Sequence, residues 1–217
     1  MTLTPPLTQF VDPLPAPRRL IAGEHGGRLS MPIRTGTHRF HRDLPESTIW
    51  GYDATMPAPV IETERGQAVT VEWRNELEGP LPVTTTVAPE SADAEGLPVQ
   101  CVPGLSGGEP DRNAEALTGQ TVVHLHGGLT PASYDGWAEN LFGPGQPAVF
   151  HYPNDQRAAL LWYHDHVMGV TKLDVYAGLA GLWIVRDQRE RELATASVFT
   201  LAEAIALVRS GWARWSS

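Results

Sequence analysis

Proline and glycine limit this chain more than any other residues. Its 217 residues include 19 prolines and 21 glycines, about 18% of the chain against a usual share of about 12%. Each proline removes a backbone donor and restricts the residue before it. Long helices are therefore interrupted, whereas short strands joined by turns are not. Residues 1–34 carry Pro5, Pro6, Pro13, Pro15 and Pro17 and read as an extended lead-in. From residue 35 the pattern becomes strand-like. In Ala68-Val69-Thr70-Val71-Glu72-Trp73-Arg74, Val69, Val71 and Trp73 fall on one face and Thr70, Glu72 and Arg74 on the other. Pro59 to Thr63 precedes it across a turn at Arg65-Gly66, which suggests an all-β antiparallel sandwich. Further strands are expected at Gln120 to His126, Ala148 to Tyr152, Ala159 to His164 and Ala180 to Val185. Residues 79–119, broken by six prolines, read as a long loop within one domain over 35–193. Residues 194–217 differ in composition and suggest one short helix at Leu201 to Val208.

Several functional classes are excluded at this level. The net charge of −9 argues against a nucleic-acid partner. Cys101 is the only cysteine, so neither an intrachain disulfide nor a cysteine-based zinc site can form. Residues 1–20 lack the cationic start and apolar run of a signal peptide. The longest mostly apolar run, Val175 to Val185, is too short to span a bilayer.

The chemistry lies in the histidines. Of the eight, four form two His-x-His pairs: His124-Leu125-His126, followed by two glycines, and His164-Asp165-His166. Residues two apart on a strand point to one face, so each pair presents two imidazoles side by side. The separation from 126 to 164 is long enough for the chain to go out and return as a neighbouring strand. Four neutral imidazoles converging on one point make a metal site. Such a donor set suits copper, zinc, iron or nickel, with the affinity order favouring copper. On a regular strand Asp165 faces away from the metal. His25, His38, His41 and His151 are scattered and read as ordinary surface or satisfied histidines.

These segments resemble a known family. Thr121-Val122-Val123-His124-Leu125-His126-Gly127-Gly128 resembles the first copper motif of the multicopper oxidases. Trp162-Tyr163-His164-Asp165-His166, with Val175-Tyr176-Ala177-Gly178-Leu179-Ala180-Gly181, resembles the second. The wording is nearest to the spore-coat laccase and bilirubin oxidase branch, and the likeness runs over residues 8–193. It implies a cupredoxin-like Greek-key β-sandwich, the first of three such domains. It also implies oxidation of phenolic or bilirubin-like substrates coupled to reduction of O2 to water. Carried over, His124 becomes a type 2 copper ligand, and His126, His164 and His166 become type 3 ligands. Asp135, in Tyr134-Asp135-Gly136-Trp137, matches an acidic position the family uses in proton delivery. An Asp-Gly turn is the other reading of the same residues.

The chain also departs from the family. The His-Cys-His segment of the type 1 copper site is missing, and only four of eight expected cluster histidines are present. The likeness stops near Leu193, which suggests a truncated or frameshifted product. Two readings follow: half of a trinuclear copper centre awaiting its other domains, or a non-catalytic copper-binding or structural cupredoxin fragment. A zinc hydrolase would need a general base and an open coordination position, for which only Asp135 and Asp165 offer themselves. An exposed domain interface would favour self-association. The lack of a leader fits the cytoplasm or a spore coat.

Overall fold

Strict alternation from Val69 to Glu76 builds the centre of the molecule: Val69, Val71, Trp73 and Asn75 are buried, and the residues between them are half-buried. The computed structural model describes residues 7–83 and 119–195. Within these residues the strands are β1 (Arg19–Ile21), β2 (Arg28–His38), β3 (Ser47–Tyr52), β4 (Val60–Glu64) and β5 (Val69–Glu76). They continue with β6 (Val123–His126), β7 (Pro147–Tyr152), β8 (Ala159–Asp165) and β9 (Ala180–Arg186). Two short helices, α1 (Thr171–Ala177) and α2 (Gln188–Thr195), flank β9. The strands form two sheets, ordered β1-β4-β9-β8-β6 and β3-β2-β5-β7. The sandwich is all-β, as the turn-rich composition implied.

Both sheets are mixed, which corrects the antiparallel expectation. β1 with β4, β4 with β9, and β2 with β5 run parallel. The cause lies at Arg65-Gly66. That turn does not close a hairpin; β4 belongs to one sheet and β5 to the other. Gly66 takes a left-handed φ of 75° there.

The lead-in expected over residues 1–34 is overturned from residue 19 onward, because β1 and most of β2 come from it. Leu29, Met31 and Ile33 are apolar at alternate positions, and all are buried. This alternation outweighs Pro32, whose carbonyl accepts a hydrogen bond from the Asp53 amide at 2.7 Å. Most of the expected 79–119 loop, Cys101 with it, lies outside the described residues, as does the helix expected at Leu201 to Val208.

Six fully buried aromatics fill the space between the sheets: Trp50, Trp73, Trp183, Tyr52, Tyr152 and Tyr163. Tyr52 and Tyr163 meet edge to face at 4.8 Å. Trp73 Nε1–H donates to Tyr152 Oη, Trp183 Nε1–H to Asn154 Oδ1 and Tyr163 Oη–H to the Pro59 carbonyl, whereas Trp50 Nε1 and Tyr52 Oη are buried without a hydrogen-bond partner among the described residues. Burial of each ring contributes about 2–3 kcal/mol. Among the described residues, no helix is long and apolar enough to cross a membrane.

Candidate metal centre

The outer face of the five-stranded sheet carries the histidines. Val123 and Leu125 point into the core, which turns His124 and His126 outward together. On β8, Tyr163 and Asp165 go inward, so Trp162 and His164 face out. β6 and β8 pair antiparallel, with His124 directly opposite His164 and His126 opposite Trp162. The return to a neighbouring strand expected from the spacing is therefore what the sheet contains. His166 lies one residue beyond β8, where its amide bonds the Val122 carbonyl at 2.9 Å.

The four rings converge. Ring centroids lie 5.7 Å apart for His124–His126, 5.5 Å for His124–His164 and 4.8 Å for His124–His166. One nitrogen from each of His124, His126 and His164 falls within a 4.8 Å cluster. Three rings are held from behind. His124 Nδ1–H donates to the Asp135 carbonyl at 2.5 Å, His164 Nδ1–H to the Asp165 carbonyl at 2.6 Å, and His166 Nδ1–H to the Gly136 carbonyl at 3.2 Å. These bonds select the tautomer that leaves Nε2 as the unprotonated nitrogen on each ring. Burial, reinforced by the neighbouring imidazoles, pulls the His164 pKa down to about 4, so that ring is neutral at physiological pH. Several converging imidazoles with oriented second nitrogens fit a borderline transition metal, copper included.

Two of the tethering carbonyls come from one turn. A 3-10 turn at Ala132–Tyr134 ends at Asp135, and Gly136 follows with φ 74°. An added Cβ on Gly136 would lie 2.2 Å from the Val123 carbonyl oxygen, so only glycine lets the turn press against β6. Asp135 is thus part of a turn and also a neighbour of the cluster. Its Oδ1 lies 3.4 Å from His124 Nδ1, with the carboxyl partly open to solvent. The remaining described histidines stay apart: His25 ends the 3-10 turn Ala22–His25, His38 packs on Phe40, His41 meets Thr8 and Asp12, and His151 meets Thr70 and Tyr134.

Asp165 faces the core and staples the two motifs together. Its carboxylate accepts hydrogen bonds from Thr121 Oγ1 at 2.7 Å, the Val122 amide at 3.2 Å and the Val167 amide at 2.9 Å. Asp174 of α1, also buried, lies close to it, and the Asp174 Oδ2 has no hydrogen-bond partner among the described residues. Burial and the adjacent Asp165 charge push the Asp174 pKa up to about 9, so Asp174 is the member that carries the proton. Thr121, Gly136, Trp162 and Asp174 were not singled out as functional from sequence. Thr121 and Trp162 stood in the two motifs, and Gly136 stood out as the glycine of an Asp-Gly turn.

Residues 113–190 match the family model described as multicopper oxidase. Over 200 residues the chain is 38% identical to a laccase of Bacillus subtilis (strain 168), covering 86% of this chain and 35% of the laccase. A bilirubin oxidase of Albifimbria verrucaria is 29% identical over 200 residues, covering 88% of this chain and 28% of the relative. In fold, the chain resembles the laccase-like multicopper oxidase CueO of Ochrobactrum sp. with a TM-score of 0.60 at 22% identity, over 83% of this chain and 31% of that one. The chain spans about a third of the length of the relatives it matches. Its two His-x-His motifs on paired strands, its sandwich of two sheets and these similarities agree: the chain belongs to the multicopper oxidase family, as one cupredoxin-like domain of it.

Proposed function

We propose that this chain is the copper-binding domain of a laccase-like oxidase and supplies half of a trinuclear centre. The convergence of four imidazoles, three with Nδ1 tied to carbonyls, carries the reading. His124 serves as the type 2 ligand, and His126, His164 and His166 as type 3 ligands. Bound copper would supply one-electron chemistry linking oxidation of a phenolic or bilirubin-like substrate to reduction of O2 to water. The chain's own residues bind and orient. The Asp135 and Gly136 carbonyls fix two rings, and the Asp135 carboxylate, between His124 and solvent, holds and passes protons. Cys101 has no histidine near it in sequence, so the type 1 site of such an oxidase would lie outside these residues. Supplying the remaining domains in trans would restore substrate oxidation.

Copper per chain is the direct test. The purified chain is loaded anaerobically, desalted and analysed by mass spectrometry beside a His124→Ala/His164→Ala variant. About one copper or more per chain is expected, lost in the variant. Equal copper in both, or none in either, overturns the assignment.

The same face favours self-association. Trp137, Leu160, Met168 and Leu182 are exposed, and Leu160 and Leu182 share the outer sheet face with the histidines. Sedimentation should show species larger than a monomer at micromolar concentration. A clean monomer at all concentrations would refute it.

A further inference from the structure

Three of the four rings are held by backbone carbonyls, and His126 is the exception. It is the most exposed of the four, and its Nδ1 faces His164 Nε2 at 3.4 Å instead of a carbonyl. A different kind of contact orients it. Trp162 sits directly across from His126 in the β6–β8 register, with its indole 5.2 Å away at an interplanar angle of 33°. The same indole stacks on His164 at 3.9 Å and 24°. On its other side, Trp162 pairs in register with Leu182 of β9.

One flat side chain therefore touches one ring from each histidine motif. Resting on the copper reading above, we propose that Trp162 is a positioning residue of the metal centre: its indole sets the ring plane of His126 relative to His164, in place of the carbonyl tether that His126 lacks. An edge-strand imidazole with no such support would sample several rotamers. Its share of metal affinity would then be spent on ordering the ring. Groups that orient ligands without touching the metal typically change affinity by about 10- to 100-fold when removed.

The test uses the full chain with Trp162→Leu and Trp162→Phe. Leucine keeps apolar bulk in the sheet but has no ring plane; phenylalanine keeps the plane. Copper(II) affinity and the electron paramagnetic resonance spectrum are read for each, alone and combined with His126→Ala or His166→Ala. Trp162→Leu should weaken binding by about 10- to 100-fold and broaden the spectrum, with Trp162→Phe restoring one sharp species. With His126 already removed, Trp162→Leu should cost nothing further; with His166 removed, its full cost should remain. Wild-type affinity in Trp162→Leu, or equal cost on both backgrounds, overturns the proposal. Should the wild-type chain hold no copper, the copper reading fails, and the ring orientation is decided without metal. The His126 ring protons then carry the indole ring-current shift in the wild type and lose it in Trp162→Leu; unchanged shifts overturn the proposal.

Discussion

Gly136→Ala is expected to cost about 2–4 kcal/mol of stability and to abolish tight copper retention. The backbone there has φ 74°, and the new Cβ would lie 2.2 Å from the Val123 carbonyl oxygen and 2.9 Å from the His124 Cα. Neither contact can be relieved by a flexible side chain, so the turn must move off β6. That displacement withdraws the Asp135 carbonyl from His124 and the Gly136 carbonyl from His166 together. Gly145→Ala is the matched control, with a similar φ of 81° but nothing within 4 Å of its new Cβ. It should lose only the backbone term, about 1 kcal/mol, and keep its copper. Urea unfolding and metal analysis of the two variants decide the matter. Equal copper in both would show that the turn does not orient the rings.

The second large effect is a pH dependence of stability from the buried Asp165–Asp174 pair. Asp174 titrates near 9 in the folded chain, raised by burial and the Asp165 charge, whereas an unfolded aspartate titrates near 3.9. Between those values the folded state holds a proton that the unfolded state has released. The stabilisation is complete below about pH 4 and is lost as pH rises toward about 9, at up to about 1.4 kcal/mol per pH unit. Asp174→Asn keeps the side chain's shape and removes the titration. The wild-type urea midpoint should therefore fall from pH 5 to pH 8 more steeply than that of the variant. Parallel profiles would mean that Asp174 is already ionised in the folded chain. The pair bears on function because Asp165 links Thr121 and Val122, ahead of the first motif, to Val167, just after the second.

Individual residues show how far the sequence could be read. The four histidines were legible because strand periodicity is local: a buried Leu125 between them forces His124 and His126 to one face. Their union was legible as a spacing, and the register His124 opposite His164 bears it out. β2 was hidden by Pro32 and by the prolines before it, although Leu29, Met31 and Ile33 alternate correctly. The Arg65-Gly66 turn misled for a different reason. A tight turn between two short strands looks the same whether they pair or part into opposite sheets, and here they part.

Local pattern was enough to read a β-sandwich, the inward and outward sides of its main strands, and two outward pairs of imidazoles. Those properties follow from alternation over a few residues and from proline and glycine chemistry. Long-range packing alone settles which strands run parallel, that the Asp135 and Gly136 carbonyls reach two of the rings, and that Trp162 lies against His126. Each of these depends on contacts between segments distant along the chain. Packing of the whole core selects such contacts, and no local pattern encodes them.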